Sequence, residues 1–210
     1  MAKLVLVRHG LSQYNAKGIW TGWADPDLTA EGVEDAKKSG ESLKDIHFDL
    51  AFIAPFKRNR QTIEQIKKVL NQKDLKVIES NEIRERDYGV FTGKNKWEVK
   101  KEIGEQEFQK LRRGWDYPVQ EGESLEQVYN RLIPYYENYI LPKLKAEENI
   151  IIVSSGNALR TLVKYLEGIS DEDISKFEFG IGEDYVYDID KEGEIAQKEI
   201  RNKNPLAGKQ

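Results

Sequence analysis

Short apolar runs punctuate an otherwise polar chain, and their spacing sets the expected architecture. Leu4 to Val7 is continuously apolar and stops at Arg8-His9-Gly10, as a strand buried on both faces would on entering a loop. Asp49-Leu50-Ala51-Phe52-Ile53 is a second run, ended by Pro55, and Leu75 to Ile78 is a short third. Ile150 to Val153 is the most apolar of the set. Helical patterns lie between the runs. Thr29 can cap a helix with Glu31 in its first turn, and Val33, Ala36, Gly40 and Leu43 recur on one face. A helix from about Arg58 to Leu70 carries Thr62, Ile66 and Val69 in register, and Ser124-Leu125-Glu126-Gln127 is a capping box ahead of Val128 and Leu132. Gly156 opens a further helix, and Tyr185 to Ile189 and Glu194 to Ile200 are strands around a Lys191-Glu192-Gly193 hairpin turn. Asn15 to Leu28, with Gly18, Gly22 and Pro26, reads as loop.

Alternating strands and helices predict an α/β fold: a single three-layer domain over residues 1–210, with a mostly parallel sheet and helices on both faces. The polar stretch of about 90–120, helical in patches around Trp97 and Phe108 and basic at Arg112-Arg113, reads as a lid-like insertion upon that core. Ligands of such sheets sit outside the strand carboxyl ends, where both His9 and Ser155 fall.

Composition narrows the chemistry. The chain has no cysteine, which excludes a disulfide framework, a thiolate nucleophile, an iron-sulfur cluster and a cysteine zinc site. A net charge of -4 argues against a nucleic-acid partner. Lys3 to Val7 is too short a run for a signal-peptide core or a membrane span, so a cytoplasmic location is expected. Histidine occurs only at His9 and His47, and His47, ahead of the second strand, suits a surface role.

A histidine directly after a buried strand, flanked by Arg8 and Gly10, suits nucleophilic attack on phosphorus: the support is rigid, arginine neutralises the phosphoryl group, and glycine lets it approach. The tripeptide alone also fits a plain structural histidine. Ala54 to Arg58 places a second arginine at a second strand end, and Arg84-Glu85-Arg86-Asp87-Tyr88-Gly89 follows the third strand. Both are candidate phosphate loops.

With these segments in place, the chain resembles the cofactor-dependent phosphoglycerate mutases of the histidine phosphatase superfamily over nearly its whole length. The resemblance is carried by Leu6-Val7-Arg8-His9-Gly10 with Ser12 and Asn15, Trp20-Thr21-Gly22-Trp23, Asp27-Leu28-Thr29, Phe56-Lys57-Arg58 and Glu85-Arg86 with Tyr88-Gly89. Gly93 with Asn95-Lys96, Arg112-Arg113, Gly156-Asn157 with Leu159-Arg160, and Val163 to Gly168 continue it in order. It implies a metal-free relay with 2,3-bisphosphoglycerate as the priming phosphoryl donor and a phosphoglycerate as the small-molecule substrate. On that pattern His9 is the nucleophile, Glu85 the proton donor and acceptor, and Arg8 and Arg58 hold the phosphoryl group in flight. Ser12, Asn15, Thr21 and Gly22 add hydrogen bonds, Tyr88, Lys96, Arg112 and Arg113 hold the other end of the substrate, and Gly156 and Asn157 offer amides at a helix start. The family's second catalytic histidine is replaced by Ser155, Leu11 stands at a usually polar position, Asp87 replaces a usual histidine, and Gly180 to Asp184 lacks the usual prolines. Reduced mutase activity is therefore expected; the rival readings are a histidine-type phosphohydrolase and a catalytically silent phosphate-ligand-binding paralogue. The short segment between Pro118 and Ser124 leaves a monomer or a small homo-oligomer open.

Overall fold

The computed structural model describes residues 1–202. Its centre is a six-stranded sheet of β1 (Ala2–Arg8), β2 (Leu50–Ile53), β3 (Lys76–Glu79), β4 (Ile150–Ser154), β5 (Asp184–Ile189) and β6 (Ile195–Arg201), in the order β3-β2-β4-β1-β5-β6. The first four strands are mutually parallel, and β5 pairs antiparallel with both β1 and β6. The helices are α1 (Gln13–Ala16), α2 (Ala30–Ser42), α3 (Lys57–Val69), α4 (Lys96–Arg113), α5 (Leu125–Tyr135), α6 (Leu141–Lys145) and α7 (Gly156–Glu167). A π-helical stretch, Tyr136–Ile140, links α5 to α6. Pro142 sits in the first turn of α6, where its missing N–H costs nothing.

The period-two alternation of each strand divides its side chains between two cores. Leu4, Leu6, Phe52, Ile150 and Ile152 face Leu132, Leu159 and Leu162 of α5 and α7, while Val5, Val7, Ala51, Ile151 and Val153 face Leu43, Ile63 and Ile66 beside α2 and α3. Runs that are apolar at every position follow from burial on both sides. The expected three-layer α/β arrangement is what the chain forms.

The predicted elements are found, shifted by a residue or two: α3 begins at Lys57, β3 runs from Lys76, and the Ser124 box closes with both of its hydrogen bonds. On α2 the buried face is Gly32, Ala36, Ser39 and Gly40, with Val33 only half-buried. The Asn15 to Leu28 stretch is not wholly loop, because Ser12 caps the single turn α1. The patchy helix of the insertion is one element, α4, broken at Gly104, whose φ of 82° and ψ of 164° leave the helical region. Val99, Phe108 and Leu111 of α4 join Trp20, Tyr88 and Val119 in a third, smaller core at the carboxyl edge of the sheet. No helix of the described residues is long and apolar enough to cross a membrane.

Candidate active site

β1, β2 and β4 end side by side, and the residues following each converge. His9 follows β1 and is fixed by its own backbone amide, which donates to Ser154 O at 3.0 Å, and by its ring, whose Nδ1 lies 2.8 Å from Gly10 O. A carbonyl can only accept, so that contact puts the ring proton on Nδ1 and leaves the Nε2 lone pair available. The side chain is 3% exposed. Burial, with Arg58 and Arg8 nearby, holds its pKa well below the ordinary histidine value, so the ring is neutral at pH 7. A buried, neutral imidazole with one fixed tautomer is equipped to attack an electrophile.

Gly10 serves a different purpose from the one its sequence context suggested. A Cβ there would lie 2.0 Å from Gly32 O, and one on Gly32 would lie 2.2 Å from Leu11 O. The pair lets the loop after β1 press directly on the first turn of α2, which is why only glycine fits at either place.

Arg58 arrives from the first turn of α3 and is fully buried. It donates to Ala24 O at 2.8 Å and Gly22 O at 3.2 Å, and its Nε reaches Ser155 Oγ at 3.4 Å. Burial lowers its pKa to about 10, still cationic at pH 7. Arg8 donates to Phe179 O at 2.6 Å and lies against the α-carbon of Gly156, where a Cβ would be 3.1 Å from its Cζ. Glu85, brought in from beyond β3, is 8% exposed; its carboxylate accepts from the Arg86 amide at 2.6 Å and the Asn157 amide at 3.3 Å. The α7 N-terminus thus holds a protein carboxylate, and the Asn157 amide is already engaged. The Asn157 side chain continues the network, donating to Tyr88 Oη at 2.7 Å and accepting from Arg160 at 2.8 Å.

These groups enclose one cavity, lined by Arg8, Asn15, Thr21, Gly22, Glu85, Tyr88, Lys96, Arg112, Gly156 and Asn157 of the expected set. His9 and Arg58 adjoin it through Arg8 and Gly22. Ser12 does not line it: its hydroxyl accepts the Asn15 amide as the cap of α1 and donates to Asn15 Oδ1. Arg113 is also set back, paired with Glu178 at 2.9 Å. Neither Arg84 nor Arg86 makes a phosphate loop: Arg84 stacks on Trp23, and buried Arg86 donates to the Glu123, Leu111 and Tyr117 carbonyls. Asp87, at the usual histidine position, accepts the Gly89 amide at 2.9 Å within its own turn. Exposed His47 pairs with Gln72 far from the cavity.

Two charged lining residues had no role assigned from sequence. Arg160, on the buried face of α7, has its pKa lowered to about 10 by burial, and Glu178 arrives on the segment before β5. Lys96 is lowered to about 8, first by burial and then by Arg112 and Arg8. Arg8 Nε, Thr21 Oγ1 and Arg160 Nε are buried with no hydrogen-bond partner among the described residues. Buried donors of this kind are rare, and an anion with several oxygens would satisfy them.

A family model for the histidine phosphatase superfamily (branch 1) matches residues 4–200. The chain is 38% identical over 199 residues to the 2,3-bisphosphoglycerate-dependent phosphoglycerate mutase of Parvibaculum lavamentivorans, covering 94% of this chain and 95% of that one. It is likewise 38% identical to the phosphoglycerate mutase of Schizosaccharomyces pombe, over 94% of both chains. Among solved structures, the alpha-ribazole phosphatase from Shigella flexneri superposes with a TM-score of 0.75 at 27% identity, over 89% of this chain and 90% of that one.

Proposed function

The chain belongs to the histidine phosphatase superfamily, branch 1, and on that premise we propose that it is a 2,3-bisphosphoglycerate-dependent phosphoglycerate mutase acting through a phosphohistidine at His9. The observation that carries this reading is the state of His9: buried, neutral, its Nδ1 proton committed to Gly10 O, with burial and then the charges of Arg58 and Arg8 holding its pKa down. The full-length similarity to mutases supplies the substrate class.

Bound 2,3-bisphosphoglycerate supplies the phosphoryl group that charges His9. The side chains fit such a polyanion, since Arg8, Lys96, Arg112 and Arg160 line one cavity and buried Arg8 Nε and Arg160 Nε lack partners among the described residues. His9 Nε2 attacks phosphorus while Arg8 and Arg58 offset the charge on the transferring oxygens. Glu85, held by the Arg86 and Asn157 amides, takes the proton from the accepting hydroxyl and returns it to the departing one. Asn15, Thr21 and Gly22 complete the phosphoryl end, with Ser12 acting through Asn15, and Tyr88, Lys96, Arg112 and Arg113 bind the far end of the substrate. Ser155 stands beside Arg58 and supplies a hydroxyl at the place where the resemblance expects a second catalytic histidine, so turnover is reduced. Residues 90–120 act as a lid whose cations face the same cavity as Glu85.

The test combines product and intermediate. Purified protein given 3-phosphoglycerate and catalytic 2,3-bisphosphoglycerate, in an enolase-coupled assay, should form 2-phosphoglycerate well above a His9→Ala control, with acid-labile phosphate on His9. Free phosphate as the main product would replace the mutase reading with hydrolysis; binding without labelling would leave a silent paralogue.

A further inference from the structure

The clamp expected to hold the far end of the substrate already contains an anion belonging to the protein. Glu178 Oε2 lies 2.9 Å from Arg113 NH1, and its Oε1 lies 3.6 Å from Arg112 NH2. The carboxylate lines the active-site cavity together with Lys96, Arg112 and Arg160. It is carried between the 3-10 turn at Asp173–Lys176 and β5. The adjoining carbonyl, Phe179 O, accepts from Arg8 NH1 at 2.6 Å. One short segment therefore occupies cations at both ends of the site, with a carboxylate at the binding end and a carbonyl at the reacting end.

We infer that Glu178 is a specificity-determining residue that acts as an internal competitor for the substrate's non-transferred anionic end. The inference rests on the mutase reading of the cavity. A carboxylate or phosphate arriving at Arg112 and Arg113 takes the place of Glu178, because two negative charges within a few Å of one another repel in a partly desolvated site. A phosphoryl group engaging Arg8 competes with the Phe179 carbonyl for the same guanidinium. The 177–181 segment yields at two points as one ligand binds. Ligands long enough and charged enough to reach both points displace it; an anion that reaches only the His9 end does not. Glu178 thereby lowers the affinity for phosphorylated acids with a second anionic group, which must displace it, and leaves that for simple phosphate unchanged.

Replacing Glu178 with Gln keeps the shape and removes the charge. E178Q should bind 3-phosphoglycerate about 10-fold more tightly by calorimetry, and its KM should fall more than kcat changes. Inorganic phosphate, reaching only Arg8 and Arg58, should bind E178Q and parent alike. Tighter binding of both probes by the same factor would reduce the effect to net charge and overturn the inference, as would weaker binding of 3-phosphoglycerate, which would make Glu178 a support for the arginines. Should E178Q melt below the parent, Glu178→Asn supplies the same comparison. The parent is labelled with 2,3-bisphosphoglycerate in parallel: absence of label on His9 rejects the mutase reading, whereas label on His9 with unchanged affinity in the variant rejects the role of Glu178 alone.

Discussion

Gly156→Ala separates the geometry of the arginine from the stability of the fold. The new Cβ would stand 3.1 Å from Arg8 Cζ and 3.3 Å from its Nε, against an ordinary carbon contact of about 3.5 to 4.0 Å. The guanidinium must withdraw by about half an ångström, and its NH1 is tethered to Phe179 O at 2.6 Å. If about 1 Å of misplacement costs about 10²-fold in rate, half of that costs about 10-fold in phosphorylation of His9. The backbone effect has the opposite sign. Gly156 is the first residue of α7 and has no left-handed φ, so alanine stabilises the helix by up to about 1 kcal/mol. Rapid-quench phosphorylation by 2,3-bisphosphoglycerate, read beside a thermal melt, should show a slower enzyme with an equal or higher Tm. A rate within twofold of the parent would refute the assigned position of Arg8, and a lowered Tm would mean that the added methyl damages packing instead.

Two further outcomes follow from groups already placed. Ser155→His should raise kcat by about 10-fold or more by adding a donor that can also carry charge beside the phosphoryl oxygens, provided Arg58 keeps its carbonyl contacts; unchanged activity in a well-folded variant would mean that the Asp87 or Leu11 position limits the rate. Asp184, fully buried on β5 beside Ser42 and Asn202, has its pKa raised to about 6 by burial, so the folded state holds this proton more tightly than the unfolded chain. Its contribution is present below pH 4 and is lost as pH rises to about 6, a fall of about 3 kcal/mol. Asp184→Asn should remove that slope in chemical denaturation, and an identical pH profile for parent and variant would exclude the assignment.

The legible parts of the chain were those whose physics is local. The Leu4 to Val7 run of β1 and the Ile150 to Val153 run of β4 are apolar at every position because helices cover both faces, and α2 and α5 announce themselves through Thr29 and Ser124, whose caps need only a few neighbouring residues. Residues His9, Glu85 and Lys96 could be set out in advance because the resemblance covers them in order. What could not be read depends on distant parts meeting. Gly10 and Gly32 touch across a loop, and the Arg113 to Glu178 pair spans 65 positions, so neither leaves a periodic trace. Arg86 looks like a phosphate ligand in sequence, yet its neighbours in space are backbone carbonyls. The turn α1 was lost to its length: four residues are too few to show a repeat.

The interruption of α4 bears on how this clamp can be respaced. In an unbroken helix, inserting one residue between Lys96 and Arg112 would swing one about 100° around the axis relative to the other and take it off the cavity. Gly104 divides the 18-residue element into two rods, and nothing packs within 4 Å of where its side chain would stand. Insertions and deletions at that joint can therefore be absorbed without rotating either rod. The reach of the clamp can be lengthened or shortened by changing the length of the chain, leaving Lys96 on one segment and Arg112 on the other free to be tuned to ligands of different size.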